Sequence, residues 1–559
     1  MGRTVRTVRT VRTARTVGLL VTIAAIAVAG GLAVSMVTAP LERLIVIVPD
    51  DAFYYLQIAR NLAATGRSTA DGLSATNGYH PLWLAVLTPL AAVVSDRELL
   101  LRVAVGVSLI LHFAASWLIG ARVAQVAGRA WGRAASLCWL LNRVALVIAL
   151  QAMESTLYVV LLLVALGVHL RLAAMFKTGK FPPRRELMIY GASLGLVILA
   201  RTEGAIVAAA ALAWLGVRLW RMSTSTATTT AAATTVRFHA LVSWSICAMA
   251  AFVIVLPYPL FSLWQVGTIQ QDSGMMKALW AGDHFPDAAS RVHNLLDTAD
   301  YFLRGTLRLM WYSLQPLVFT FVLLAIAAAF VIVQFSRPRG RAAIALRAAV
   351  VPAMIVGVLF GFTLVDRQIW WMGLPWLAIF LTAMLGTVSL CRAIPALRRR
   401  QRMVRFAMVA ASMLFLLALA RSRNPLAPYP WQADVLHSQA QIEASIPRDQ
   451  RIGCFNAGIS LYFGDGRVVA LDGLVSHDAL GYWMDRRIDD YLRDARIRFV
   501  ADEPLTLERA LRFSRAPGAL RLEERRTFPL RGWPSGRRVL WSVASTEDAS
   551  ADSRPGAAR

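Results

Sequence analysis

Apolar runs long enough to cross a bilayer recur along this chain, separated by short arginine-rich stretches, and no other feature constrains its folding as strongly. In hydrocarbon every backbone polar group must be paired internally, so such runs fold as helices. Of the 559 residues, 57% are hydrophobic and 16% charged, and the mean hydropathy is +0.53, which sets the chain apart from a soluble domain. It reads as a polytopic α-helical membrane protein, and collagen, disorder and a disulfide-stapled module are excluded. A net charge of +26, from 59 Lys and Arg against 33 Asp and Glu, would suggest nucleic acid in a soluble protein. Here the arginines gather between apolar spans, where membrane topology accounts for them. Cys138, Cys247 and Cys391 lie in or beside apolar spans and Cys454 stands alone in the polar tail, so neither a disulfide nor a cysteine metal site is expected.

The first sixteen residues carry Arg3, Arg6, Arg9, Arg12 and Arg15 and run directly into an apolar stretch from Val17 to Thr38. That stretch is longer than a signal-peptide core and AVSMVTAP is a poor cleavage site, so it reads as an uncleaved first span with a basic cytoplasmic N-terminus, 1–16. Further spans are expected near 99–121, 134–151, 155–172, 188–203, 204–220, 239–260, 316–335, 344–365, 373–391 and 404–421, about eleven in all. Segment 81–95 is apolar but short and split by Pro89, and reads as interfacial or re-entrant. With that choice every arginine cluster, from Arg122, Arg129 and Arg133 to Arg398–Arg405, falls on the cytoplasmic side. The transmembrane region is thus 17–421, in a cytoplasmic (inner) membrane. Loop 39–98, the turn at Glu154, loop 261–315, the turn 366–372 and everything after about 422 lie outside.

Segment 422–544 changes character. Strand-like runs at 451–455, 468–471 and 496–501 alternate with helical patterns at 478–494 and 505–513, and 520–528 with 537–543 would close a hairpin over RGWPSG. This predicts a small extracytoplasmic α/β domain, followed by a disordered tail at 545–559. The Thr-rich 223–235 is a cytoplasmic linker with no chemical candidates.

Chemistry must therefore be sought outside. Asp50 and Asp51 follow Pro49 and open a helical pattern whose Phe53, Tyr54, Leu56, Ile58 and Leu62 suit a helix lying in the membrane interface. One Asp would serve as a helix cap, and a second adds repulsion. Close carboxylates where lipid meets water share a proton or a divalent ion, or make one of them a general base; cap and function stay open as readings. Glu154, in LQAMESTLY, ends a span on the same side and can converge with them. Arg201 and Glu203 interrupt an apolar stretch; they form either a structural ion pair or a cationic seat for an anionic headgroup. In QQDSGMMKALW, Ser273, Gly274 and Lys277 offer a weak phosphate-seat pattern, and His80 is the one histidine beside the acidic pair. Trp370 and Trp371 read as an aromatic belt. No Walker A, GxGxxG, GxSxG or HExxH motif is present, which leaves nucleotide-driven transport, dinucleotide chemistry, serine hydrolysis and zincin proteolysis without support.

The order of these motifs resembles the GT-C fold glycosyltransferases that use polyprenyl-phosphate sugars, a group including protein O-mannosyltransferases, the aminoarabinose transferase of lipid A and mycobacterial arabinofuranosyltransferases. The resemblance rests on PDDAFYYLQIARN, TNGYHPLW, the AMES turn, LARTEG, GTIQQDSGMMK and FNAGISLYFGDGRVVALDGLVSHDAL. It implies inverting sugar transfer on the outer face, with Asp50 as general base, Asp51 assisting or holding a cation, and Glu154 as second outer acid. It implies donor contacts from Tyr54, Tyr79, His80, Arg201, Glu203, Ser273 and Lys277. The family's loop usually carries Pro before the x-Ser-Gly and an earlier Asn, where this chain has Gln271 and Ser262. The implied partners are a polyprenyl-phosphate sugar, a glycan, lipid or protein acceptor and the bilayer, with no nucleic acid. If a cofactor is needed, Asp50 and Asp51 suit Mg²⁺, Mn²⁺ or Ca²⁺. The alternative is a transporter or flippase of a lipid-linked sugar, which would need ionisable residues through the bundle rather than at one face. A scaffold reading leaves the paired acids and Arg201 without a role.

Overall fold

The computed structural model describes residues 22–225, 230–300, 340–363, 368–421, 428–514 and 520–545, with a few isolated positions besides. The basic N-terminus, the expected span 316–335 and the tail after 545 lie outside the described residues.

Among the described residues six helices are long and apolar enough to cross a membrane: Arg97–Ala127, Ser155–Lys177, Gly204–Thr224, Thr234–Val266, Arg341–Thr363 and Ile369–Ala393. A seventh crossing is available if Arg129–Leu140 and Arg143–Leu150, bent by 52°, are one broken span. The break falls at Asn142, whose side chain caps the second half by accepting the Ala145 N–H. The other expected spans are helical where described: Thr22–Val37, Arg184–Ala200 and Gln401–Arg421. Pro81–Val93, 13 residues and so about 20 Å long at 1.5 Å per residue, is too short to cross.

The tail carries a five-stranded sheet in the order β2-β1-β3-β5-β4. Its strands are β1 Arg451–Cys454, β2 Val468–Ala470, β3 Ile497–Asp502, β4 Leu520–Pro529 and β5 Arg537–Ser545. β1 runs parallel to β2 and β3, and β5 antiparallel to β3 and β4. The expected helix 478–494 is two, His477–Met484 and Ile488–Asp494, because Arg486 adopts a left-handed φ of 58° between them.

Strand alternation decides what the sheet joins. Val468, Ala470 and Leu540 turn to a buried cluster continuous with the helical bundle. Val469, Leu471, Val539 and Trp541 turn to a second cluster that also takes Met276 from the Asp272–His284 helix.

The Asp50–Thr65 helix sits between these parts. Pro49 enters it in extended geometry, both acids occupy its first turn, and Gly66 ends it at φ 72°. Its apolar face was expected to meet lipid. It packs instead on protein: Phe53 and Ile58 are fully buried, and the Phe53 ring lies 5.8 Å from both Tyr462 and Phe463 of the tail. Trp370 and Trp371, expected in an aromatic belt, are likewise buried.

Candidate active site at the seam of helices and tail

The two adjacent acids point to different places, because neighbouring residues on a helix are rotated by about 100°. Asp50 reaches the tail: Oδ2 accepts the Gly458 N–H at 2.8 Å and Oδ1 the Ile459 N–H at 2.9 Å. These are N-terminal amides of the short Ala457-capped helix Gly458–Phe463. Burial pushes the Asp50 carboxyl up to about 6, against those two backbone bonds and with the Asp51 charge adding to the rise. The expected base is thus engaged in joining the tail to the helix. Asp51 is the member of the pair that lines a cavity of about 60 Å³.

That cavity collects most of the residues singled out in the sequence. Tyr54, Tyr79, His80, Glu154, Ser273 and Lys277 line it together with Asp51, Tyr55, Trp370, Trp371 and, from the tail, Leu474 and Val475. Arg201 and Glu203 are absent from its wall. Arg201, 3% exposed, stands behind Glu154, paired with both Glu154 and Glu203 and donating to Ser155 Oγ at 3.3 Å. Two carboxylates thus hold the Arg201 guanidinium, and it meets the cavity through Glu154.

Lys277 is the cation that does face the cavity. Its ammonium lies 5.3 Å from the centre of the Trp371 ring. Ser273 precedes it by one helical turn and so shares its face. Both ride on the first turns of the Asp272–His284 helix, whose N-terminus favours a negative group.

The position of that helix depends on Asp272, fully buried and missed by the sequence reading. Its Oδ2 accepts the Thr76 hydroxyl at 2.9 Å and the Asn77 N–H at 3.2 Å, and its Oδ1 lies 2.8 Å from His477 Nδ1 of the tail. Asn77 in turn donates to Ser262 Oγ at 2.6 Å and to the Gln270 carbonyl at 2.7 Å. Gln271 Nε2 donates to the Tyr79 carbonyl at 2.7 Å. Ser262 and Gln271 thus help join segment 77–79 to segment 262–272.

The remaining polar groups are fixed in the same way. The Tyr54 hydroxyl donates to Asp472 Oδ2 at 2.6 Å and accepts the Ala457 N–H at 2.9 Å. The Tyr55 hydroxyl accepts the His80 N–H at 3.0 Å, and Tyr79 pairs with Ser68 Oγ at 2.7 Å. Burial, followed by the charges of Arg201 and Lys277, holds the His80 imidazole well below its ordinary range, so it is neutral.

Both Asp50 oxygens accept backbone amides while Asp51 lines the cavity, so the two acids read as a candidate ion site face different surroundings. Among the described residues no three His, Cys, Asp or Glu side chains converge to hold a metal ion. The cavity thus brings carboxyl groups, an ammonium and a helix N-terminus to one small space.

The sequence matches no family model and no curated protein. The chain is similar to the structure of ArnT from Cupriavidus metallidurans bound to undecaprenyl phosphate, with 14% identity over 94% of this chain and 97% of that one, TM-score 0.47. The apo state of that protein gives 14% identity over 92% and 98% of the two chains, TM-score 0.44. The oligosaccharyltransferase of Archaeoglobus fulgidus, in complex with Zn and sulfate, gives 12% identity over 84% of this chain and 66% of that one, TM-score 0.47. At these identities and TM-scores the likenesses assign no activity to the chain.

Proposed function

We propose that this protein is an inverting glycosyltransferase of the cytoplasmic membrane that moves a sugar from a polyprenyl-phosphate donor to an acceptor hydroxyl on the outer face. One observation carries the reading: Asp51 and Glu154 share a cavity with Lys277 and Ser273, the latter two on a helix N-terminus. The ordered motifs from PDDAFYYLQIARN to the tail support it further.

In this reading Asp51 takes the proton of the acceptor hydroxyl as its oxygen attacks the anomeric carbon. The carbon–oxygen bond to the phosphate breaks on the opposite face, which inverts the configuration. The leaving phosphate gains charge, and Lys277 with the Ser273 turn stabilises it. Glu154, oriented by Arg201, sits beside the acceptor path, and neutral His80 contributes a hydrogen bond rather than a charge. Tyr54 and Tyr79 shape the wall. Asp50 keeps the catalytic helix attached to the tail, so the base falls to its neighbour.

The test uses cells lacking the protein, complemented with wild type, Asp51→Asn or Asp50→Asn, with mass spectrometry of envelope glycans and lipid-linked sugars. Asp51→Asn is expected to leave one sugar missing and its polyprenyl-phosphate donor accumulated, at normal protein level. Full restoration of the wild-type profile by Asp51→Asn would overturn the assignment.

A further inference from the structure

The helices that leave the cavity carry arginines at their other end. Ile369–Ala393 starts with Trp370 and Trp371 on the cavity wall and reaches Arg392 about 33 Å further on, at 1.5 Å per residue. Ser155–Lys177 likewise runs from beside Glu154 to Lys177. The stretches that turn at this far end are almost without acids. No Asp or Glu occurs between Glu98 and Glu154, between Glu203 and Asp272 or between Asp366 and Asp434. Between Glu154 and Glu203 the one acid is Glu186, which Arg171 pairs at 3.1 Å. Membrane topology calls for the arginines, but it puts no bar on Asp or Glu beside them. Their absence leaves the positive charge of these stretches without a counter-charge from the protein.

Part of that charge is used in joining helices. Arg341 donates to the Gln125 carbonyl at 3.1 Å and Arg392 to the Ala127 carbonyl at 3.0 Å, at the C-terminus of Arg97–Ala127. Three other arginines gather beside Trp131, where the helices Arg129–Leu140 and Gln401–Arg421 lie side by side. The Arg405 guanidinium stands 5.2 Å from the centre of the buried Trp131 ring, and Cys138 meets Ser412 two turns further along both helices. Arg402 precedes Arg405 by one turn on the same face, and Arg402 and Arg133 both act on Arg405 as like charges. Arg133 and Arg402 are exposed and Arg405 is half-buried. Like charges held together repel, and an anion seated among them relieves the repulsion. Ile394, Met403 and Phe406, apolar neighbours of these arginines in the chain, are exposed as well.

We infer that Arg133, Arg402 and Arg405 bind the phosphate of an anionic phospholipid in the leaflet opposite the cavity. Guanidinium groups suit a phosphodiester, which they hold by charge-assisted hydrogen bonds, and basic pockets between helix ends are where such headgroups dock. The exposed apolar side chains favour a lipid over a soluble polyanion, because acyl chains cover them and a nucleic acid would leave them in water. The site lies a full span from Asp51 and stands independently of the transferase reading.

The test uses the full-length protein in detergent micelles supplemented with phosphatidylglycerol, phosphatidylcholine or inorganic phosphate, with bound molecules counted by native mass spectrometry. Wild type is compared with the triple variant Arg133→Gln, Arg402→Gln, Arg405→Gln. The control triple, Lys180→Gln, Arg184→Gln, Arg185→Gln, removes the same charge from exposed positions at the same end of the bundle. Thermal unfolding establishes that each protein is folded. Wild type is expected to retain phosphatidylglycerol over phosphatidylcholine. The first triple should lose it tenfold or more, at about fivefold per arginine, and the control should stay within about twofold of wild type. Equal loss in both triples would mean diffuse attraction and overturn the site. Equal retention of the two lipids overturns the anionic class, and inorganic phosphate that binds alone and displaces the lipid overturns the lipid as its occupant. Should the first triple fail to fold, the double variant Arg133→Gln, Arg402→Gln, at two exposed positions, decides in the same directions.

Discussion

Asp50 and Gly458 touch across 408 residues of chain, with the Gly458 N–H donating to Asp50 Oδ2 at 2.8 Å. The contact leaves no space for a side chain: a Cβ at 458 would lie 2.2 Å from the Asp50 carbonyl oxygen and 2.7 Å from Oδ2. The acidic helix and the tail are therefore one unit at this point.

Gly458→Ala is expected to cost about 1–3 kcal/mol, the usual range for overpacking a tight contact. The strain falls on the seam, so hydrogen exchange should quicken at 457–463 and at 50–54 while the long apolar helices stay protected. Unchanged exchange at both segments would mean the seam is not the closed contact described here.

Asp472 makes the seam sensitive to pH. Burial pushes its carboxyl up to about 7, opposed by the Tyr54 and Leu474 bonds and aided by the charges of Asp51 and Asp50. A carboxyl raised above its ordinary value of 3.8 binds its proton more tightly in the folded state. Its contribution to stability is full below about pH 4 and is lost as pH rises through about 7. Melting temperature should accordingly fall between about pH 4 and 7, and Asp472→Asn should flatten that slope. An equally steep slope in the Asn variant would assign the titration elsewhere.

Arg201 is sandwiched between Glu154 and Glu203. Arg201→Gln leaves two buried carboxylates without their cation and should destabilise by about 3–5 kcal/mol. Membrane yield and thermal unfolding report it, and adding Glu154→Gln should recover part of the loss. A fully stable single variant with weakened donor binding would instead restore Arg201 to a direct phosphate contact.

Lys277 behaves differently, because it faces the cavity with its ammonium over the Trp371 ring. Lys277→Ala is expected to leave the melting temperature nearly unchanged and to lower transfer by about 10- to 100-fold, the worth of one charge-assisted hydrogen bond of about 1.5–3 kcal/mol. Steady-state transfer in membranes measures this, and an unaffected rate would remove Lys277 from the site.

Much of this was readable locally. β1, β2 and β3 lie within a residue or two of the strand-like runs that signalled them, and the β4–β5 hairpin closes over RGWPSG with the Leu530 N–H on the Gly536 carbonyl at 2.9 Å. Pro49 followed by Asp50 and Asp51 marked a helix start for the same local reason. The lipid-facing reading of that helix failed because an apolar face looks alike whether it meets acyl chains or Tyr462 and Phe463. Asp472 and His477 stood within a recognised stretch without any cue to their partners, Tyr54 and Asp272, which lie 418 and 205 residues away.

The sequence by itself determined that the chain folds as apolar helices with a small polar sheet domain, and that an acidic pair, Glu154 and Lys277 stand at the ends of its apolar segments. Hydropathy, helix starts and strand alternation act over a few residues, and so a linear pattern carries them. Only the tertiary structure decided that Asp51 rather than Asp50 faces the cavity, that Arg201 stands behind Glu154, and that the tail closes the site. Those outcomes depend on which distant group fills each hydrogen bond, and a turn of about 100° between neighbouring residues is enough to exchange a cavity-lining position for one joined to the tail.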